Sequence, residues 1–158
     1  MNYFKLFELP VSLKVDKSQL AKKYFELQKK YHPDFFTQSD EEDQAAALEK
    51  SSSINKALKL LQNQDETIKY VLELKGLLAE DEKYQLPPDF LMEMMDLNEN
   101  LSAGSATAIN EIETGLYDEV KDIIEHYNDC TTPEALQKVK AYYFKKKYVQ
   151  RILERLDG

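Results

Sequence analysis

Residues 16–34 read DKSQLAKKYFELQKKYHPD, and they determine how the N-terminal half of the chain is interpreted. Asp16, followed by Gln19 three residues later, resembles a capping box, so a helix is predicted to begin here. The helix is predicted to end at His32, because the residue before a proline avoids the α region. Between these points an apolar stripe recurs at spacings of 4, 3 and 4 residues, formed by Leu20, Tyr24, Leu27 and Tyr31.

The rest of this helix surface is basic. Between Lys14 and Tyr31 there are six lysines against Asp16 and Glu26, although the whole chain has a net charge of −8. The overall charge disfavours binding to bulk nucleic acid or to an anionic membrane. A basic helix on an acidic protein instead indicates an acidic patch on a specific partner. At 100° per residue its lysines point away from the stripe or flank it, at Lys22, Lys23, Lys29 and Lys30.

A second helix is predicted over residues 41–62, packed antiparallel on the first. Its core positions repeat at spacings of 4, 3, 4 and 3, at Ala47, Ser51, Ile54, Leu58 and Leu61. A further amphipathic piece at 66–75 stops at Gly76. Because residues 76–88 hold that glycine and a proline pair, they are predicted to be a linker between a domain of residues 1–75 and a domain of residues 89–158.

The C-terminal half is predicted to contain three helices joined by short links, which implies an antiparallel bundle. They are expected at 89–102, at 106–128, and from Pro133 to about residue 156 with Thr132 as N-cap. Four glycines and five prolines in 158 residues, with abundant Leu, Lys, Glu, Gln and Ala, favour helices over sheets. The predicted fold is therefore all-α, an N-terminal helical hairpin with short helices followed by a C-terminal three-helix bundle.

The tripeptide His32-Pro33-Asp34 between the first two long helices has two interpretations when it is taken alone. His32 and Asp34 could form a general-base dyad. No serine or cysteine nucleophile and no glycine-rich phosphate loop is nearby to complete such a site. The alternative is a turn, in which the proline ends one helix and the aspartate caps the connection, and the tripeptide alone favours that structural role.

The surroundings of the tripeptide change this weighting. An N-terminal YFKLFELP segment (residues 3–10) precedes the lysine-rich helix, and a polar loop with Phe36 leads to a helix carrying SINKAL (53–58). This order and spacing resemble a J-domain, the module by which DnaJ-like proteins stimulate the ATPase of DnaK-type chaperones. The resemblance covers roughly residues 1–75.

The J-domain resemblance implies that lysines steer the module onto an acidic surface of the chaperone ATPase domain. The tripeptide would then make the short specific contacts, with Asn55 on the facing helix supporting the loop. Many J-domains have a lysine directly after the tripeptide, whereas this chain has Phe35; Phe36 is expected to pack under the loop. The chaperone-binding residues so implied are His32, Pro33, Asp34, Lys22, Lys23, Lys29, Lys30 and Asn55.

The helix at 89–102 has more apolar residues than one face can bury. A core stripe is formed by Phe90, Met94, Leu97 and Leu101. Leu91, Met92 and Met95 lie off that stripe, beside Asp96 and Glu99, and on the last helix Phe144 and Tyr148 stand apart from the core positions. An exposed Leu/Met/Phe patch with a rim of carboxylates indicates a protein-binding site. Packing against the N-terminal domain or a dimer mate is the alternative.

Residues 86–97, LPPDFLMEMMDL, are similar to the opening of the C-terminal domain of HscB, the J-protein of iron–sulfur cluster assembly. With the N-terminal match, the similarity spans nearly the whole chain. It implies that a C-terminal three-helix domain binds an IscU-like iron–sulfur scaffold protein. The scaffold-binding residues so implied are Leu91, Met92, Met95, Asp96, Glu99 and Phe144. The N-terminal cysteine pairs of some eukaryotic relatives are absent, so no metal or cofactor is expected.

The sequence thus predicts a two-domain co-chaperone rather than an enzyme, a monomer that links a DnaK/HscA-type chaperone to an IscU-like scaffold. A cytoplasmic location is expected, because no signal peptide and no apolar run of membrane-spanning length is present. Three alternatives remain open. They are a J-protein with a different client, a small helical hydrolase using His32 and Asp34, and a purely structural helical dimer.

Overall fold

All regular secondary structure in the part of the chain that the structure describes is helical. The structure is a computed structural model and describes residues 2–102 and 104–157. Within these ranges there is no strand, which confirms the predicted all-α class. The elements are α1 (Tyr3–Leu6), α2 (Lys17–Tyr31), a 3₁₀ turn (Pro33–Phe36), α3 (Glu41–Gln62), α4 (Gln64–Leu74), α5 (Pro88–Glu99), α6 (Ser105–Glu125) and α7 (Pro133–Asp157).

Helices α2 and α3 form an antiparallel hairpin. The Asp16 carboxylate caps α2 by accepting from the N–H groups of Ser18 and Gln19, at 2.8 and 3.2 Å. Early α2 faces late α3 and late α2 faces early α3, as the pairs Tyr24–Asn55 and Tyr31–Lys50 show. On α3, Ala57 is fully buried where Leu58 was expected, and on α2 Tyr24, Leu27 and Tyr31 are half-buried. The buried positions of the two helices are Leu20, Ala47, Ser51, Ile54, Ala57 and Leu61.

Helices α1 and α4 complete the N-terminal core. Phe4 and Phe7 are fully buried. The ring of Tyr3 stacks on that of Tyr70 with centroids 5.1 Å apart, and the Tyr3 N–H donates to the Tyr70 hydroxyl at 2.9 Å. Because Ile68 and Thr67 of α4 are also buried, the short N-terminal segment is held against α4 by both packing and a hydrogen bond.

The chain divides into two compact units, unit 1 (Met1–Val71) and unit 2 (Leu72–Gly158). The division falls inside α4, slightly before the boundary expected at residue 75. Residues 76–88, expected to be a linker, lie in unit 2 and pack on α7. Leu78 is buried, and the Lys140 ammonium donates to the Leu77 carbonyl at 2.8 Å.

Unit 2 contains a three-helix bundle. α5 and α7 run parallel, because Phe90 contacts Tyr148 and Asn98 accepts a hydrogen bond from Arg155 further along both helices. α6 runs against α7, since its early residue Ile109 shares the core with residues of the second half of α7. One cluster of its buried core consists of Phe90, Met94, Ile109, Val149 and Ile152, with Leu97, Leu101 and Tyr148 packed against it.

Two sequence expectations for the last helix had different outcomes. Thr132 caps α7, its hydroxyl accepting from the Ala135 N–H at 3.1 Å, as predicted. Tyr148 was expected on a side away from the core, and this was wrong. It packs edge-on against Phe90, with centroids 6.2 Å apart, because parallel α5 brings that ring to its level. Across the described ranges, no helix is long and apolar enough to cross a membrane.

Candidate functional site

The His-Pro-Asp loop, defined here as residues 32–36, lies at the end of the α2/α3 hairpin. His32 is both the C-cap of α2 and the N-cap of the 3₁₀ turn. Its backbone is extended, with φ −62° and ψ 131°, which is the conformation that a following proline requires. The chain therefore leaves the helix abruptly, and the three side chains of the tripeptide are presented at one tip of unit 1.

The His32 ring is fixed by its own neighbours. Its Nδ1 accepts from the Asp34 N–H at 3.2 Å, and the Asp34 carboxylate lies 3.6 Å from the same nitrogen. A neutral ring that accepts at Nδ1 carries its proton on Nε2. The His32 side chain is 45% exposed and that of Asp34 85% exposed, so the loop offers a donor and an anionic acceptor to a partner.

The link that follows the tripeptide is closed by side chains of α3. The Gln44 amide nitrogen donates to the carbonyls of Thr37 and Ser39, at 3.2 and 3.0 Å. Asp40 caps α3 by accepting from the Asp43 N–H at 2.8 Å. Phe36 is half-buried, whereas Phe35 is exposed. These bonds give the connection a defined shape although it has few apolar residues.

The predicted lysines are not equivalent in the structure. Lys22, Lys29 and Lys30 are exposed, and they are called the α2 lysine face below. Lys23 is half-buried and lies 3.5 Å from the Glu8 carboxylate and 3.7 Å from that of Glu26. The positive charge of Lys23 is therefore partly neutralised within unit 1.

Asn55 holds α3 to α2 rather than bonding to the tripeptide. Its Oδ1 accepts from the Tyr24 hydroxyl at 3.1 Å and from the Gln28 amide at 3.4 Å. Both partners lie one to two turns before His32 on α2, so Asn55 contributes to the hairpin that carries the loop. The sequence predicted that Asn55 supports the loop directly, whereas its hydrogen bonds in the structure lie in the body of the hairpin.

The second predicted surface lies on α5. Met92 is 67% exposed and Met95 54% exposed, while Leu91 is half-buried. Asp96 and Glu99 are exposed beside them. At 100° per residue these five positions form one continuous arc on the side of α5 opposite Phe90 and Met94. Leu91, Met92 and Met95 are called the α5 apolar face below.

Phe144 does not lie at the level of the α5 apolar face. α7 is parallel to α5 with residue 148 beside residue 90, so residue 144 lies before the start of α5. Met92 corresponds to residue 150 in this register, about 9 Å further along the axis. Phe144 instead stacks on Tyr84, with ring centroids 4.6 Å apart and 3° between the planes.

The sequence reasoning missed a buried charge that holds residues 77–84 against α7. The Lys140 side chain is largely buried, donates to the Leu77 carbonyl, and forms a short ion pair with Glu82. The Lys140 ammonium, and then the Ala79 N–H, hold the pKa of Glu82 below its ordinary value by stabilising its carboxylate. No local pattern predicts this contact, because the residue after the core position Val139 lies 100° further around the helix, where a surface lysine is ordinary.

The predicted site residues form two exposed surfaces in the described part of the chain, one on each unit. Among the described residues, no three His, Cys, Asp or Glu side chains are grouped as a metal site requires. His32 and Asp34 contact each other at an open surface, and the free Cys130 is exposed in a turn far along the sequence from them.

Comparison with known proteins identifies relatives over the whole length. Residues 86–157 match the family model described as HSCB C-terminal oligomerisation domain. A co-chaperone protein HscB homolog of Vibrio vulnificus is 33% identical over 171 residues, covering 100% of both chains. The iron-sulfur cluster co-chaperone protein HscB of Mus musculus is 31% identical, covering 98% of this chain and 67% of that protein. The crystal structure of human co-chaperone protein HscB superposes with a TM-score of 0.80 at 25% identity, covering 99% of this chain and 81% of that one.

Proposed function

This chain belongs to the HscB family of co-chaperones, and on that premise we propose that it couples two partners in iron–sulfur cluster assembly. It binds an IscU-like scaffold protein, delivers it to a DnaK/HscA-type chaperone and stimulates the ATPase of that chaperone. Residues 1–75 form the J-domain, residues 76–88 the connection and residues 89–158 the scaffold-binding domain.

The observation that carries the proposal is the exposed His-Pro-Asp loop at the tip of an antiparallel hairpin. The Asp34 N–H fixes the imidazole through Nδ1, which leaves the Nε2–H as a donor toward the chaperone. The Asp34 carboxylate and the ring of Pro33 complete a small, shaped contact. Such a contact can bias a two-state partner only if it binds the hydrolysing state more tightly than the resting state.

Charge brings the chaperone to this loop. Lys22, Lys29 and Lys30 project from the same helix that ends at His32, and they attract an acidic surface on the ATPase domain. Exposed charges of this kind raise the association rate and set orientation more than they add affinity. Lys23 contributes less, since its ammonium is already shared with Glu8 and Glu26.

The α5 apolar face is the proposed contact with the scaffold. Two methionines more than half exposed, with a neighbouring leucine, present apolar area that the fold itself does not use. Methionine adapts its shape to a partner, and the carboxylates of Asp96 and Glu99 supply a polar rim. Phe144 belongs to this contact only as its more distant edge, because it lies about two turns before the residue of α7 that is level with Met92.

The protein acts by bringing its partners together. Binding the scaffold on one unit and the chaperone on the other raises their concentration relative to each other without any new contact between them. The cluster is cargo on the scaffold and the nucleotide belongs to the chaperone. No cofactor and no catalytic residue of this chain is invoked, and we propose a monomer acting in the cytoplasm.

A single pair of assays tests the proposal. The intact chain is used to retrieve partners, and the ATPase rate of a purified DnaK/HscA-type chaperone is measured with and without it. We expect stimulation, and further stimulation when an IscU-like scaffold is added. Stimulation without scaffold binding would indicate a J-protein for another client, and turnover of a substrate without any chaperone would support a hydrolase instead.

A further inference from the structure

Two phenylalanines of unit 1 are exposed in a chain that buries or half-buries every other aromatic ring. Phe25 is 67% exposed and Phe35 66% exposed. The ten tyrosines and the other five phenylalanines are buried or half-buried. Isolated exposed apolar side chains are common on proteins. Phe25 and Phe35 differ from such isolated residues, because one lies on the helix that ends at the tripeptide and the other directly follows the tripeptide.

Phe35 contacts the His32 ring, and Phe25 lies further back on the helix that ends at His32. Phe25 precedes His32 by seven residues, so it lies on the same side of α2 about two turns, or roughly 10 Å, away. Lys22 and Lys29 are its neighbours at i−3 and i+4, and both are exposed. On the other side of the tripeptide, the Phe35 ring stands edge-on to the imidazole with centroids 6.2 Å apart.

We propose that Phe25 and Phe35 are apolar anchors through which this chain docks on the ATPase domain of its DnaK-type chaperone. The chaperone surface must then offer apolar depressions among its carboxylates, on either side of the point that receives the imidazole. This inference rests on the proposed function and specifies the chemistry of the partner surface. Buried aromatic anchors ringed by weaker polar contacts are the usual carriers of binding energy.

Charge argues for this occupant over a second copy of the chain. In a two-fold dimer the same patch meets itself. The lysines around Phe25 would then face the same lysines, and like charges so placed disfavour association. An acidic partner with apolar depressions satisfies the ammonium groups and the rings together.

The test uses the intact chain with the variants Phe25→Ala, Phe35→Ala and the double variant. The concentration of protein that gives half-maximal stimulation of a purified DnaK/HscA-type chaperone is measured. We expect each single change to raise it about tenfold and the double change to raise it further, since each removes an anchor. Leu74→Ala is the matched control, because Leu74 is an exposed apolar residue at the end of α4 and should leave the value unchanged.

Two further variants separate the inference from its alternatives. Phe25→Lys removes the ring and adds a positive charge, so the variant should bind the chaperone more weakly than wild type if the ring is an anchor. The measurement is made at about 0.15 M salt, where exposed charges more than about 8 Å apart are largely screened. If His32→Gln abolishes stimulation but Phe25→Ala and Phe35→Ala leave it intact, the two rings are not anchors, while the proposed function stands. If wild type sediments as a dimer and Phe25→Ala as a monomer, Phe25 mediates self-association and the anchor proposal is wrong. Absence of stimulation by wild type would refute both.

Discussion

Tyr84 and Phe144 lie face to face, with ring centroids 4.6 Å apart and an angle of 3° between their planes. One ring comes from the segment before α5 and the other from α7, so the stack fastens that segment to the bundle. Lys140 reinforces the same junction, since its ammonium lies 5.7 Å from the centroid of the Tyr84 ring.

The stack should contribute to the stability of unit 2. We expect Phe144→Ala and Tyr84→Ala each to lower the free energy of unfolding, with a coupling between them of about 1 kcal/mol, as for other aromatic pairs. Denaturant unfolding of the two single variants and the double variant measures this coupling. Strictly additive effects would mean that the two rings do not support each other.

The α5 apolar face should carry most of the scaffold affinity. Leu91→Ala, Met92→Ala and Phe144→Ala together are expected to weaken scaffold binding by several kcal/mol, taking roughly 1–2 per side chain. The two α5 changes alone should account for most of that loss, because Phe144 lies about two turns away. Calorimetric titration with an IscU-like scaffold decides the division, and an unchanged affinity would place the site elsewhere.

The Glu82–Lys140 pair should make the stability of unit 2 sensitive to acid. The pKa of Glu82 is lowered in the folded protein, so its contribution is present above the ordinary glutamate pKa and is lost as pH falls through the lowered value. Glu82→Gln should therefore lower the thermal midpoint near neutral pH, and the difference from wild type should close in acid. Glu80→Gln, at an exposed neighbouring carboxylate, is the control. An equal gap at both pH values would contradict this account.

Replacing the imidazole should uncouple the two partners without unfolding the protein. His32→Gln is expected to remove chaperone stimulation and to leave scaffold binding and helix content unchanged. The side chain is half exposed, and the backbone bond from the His32 N–H to Gln28 is retained in the variant. Circular dichroism and the ATPase assay are read together; unfolding would show that His32 is structural.

The lysines of α2 should differ in their effect on chaperone binding. Lys22→Ala with Lys29→Ala is expected to slow association several-fold and to make it less sensitive to salt, because both ammonium groups are exposed. Lys23→Ala should have a smaller effect, since Lys23 is shared with two carboxylates of unit 1. The pair Lys56→Ala and Lys59→Ala on α3 changes net charge equally and serves as the control. Equal slowing by both pairs would indicate a general charge effect.

Local signals were enough to predict the helical architecture. The spacing of Leu20, Tyr24, Leu27 and Tyr31 predicted which face of α2 packs against the core. The capping residues Asp16 and Thr132 predicted where α2 and α7 begin. These features depend on residues within about three helical turns of each other. A periodic apolar pattern that begins at a capping residue therefore predicts a helix and its buried face from the local sequence alone.

The contacts that were missed join residues far apart in the chain. Residues 76–88 have no helical period, so nothing local indicated that Lys140, 63 residues after Leu77, would hold them. The partner of Phe144 and the inward position of Tyr148 depend on the register of α7 against the rest of unit 2. That register is set by tertiary packing and cannot be read from either segment alone.

Gln44 has a consequence for how the His-Pro-Asp loop meets its partner. Its amide bonds to the Thr37 and Ser39 carbonyls hold the exit of the loop when no chaperone is present. The conformational entropy of that segment is lost when unit 1 folds, rather than when the complex forms. Because the loop is preorganised for binding, a small contact area can act on a much larger chaperone.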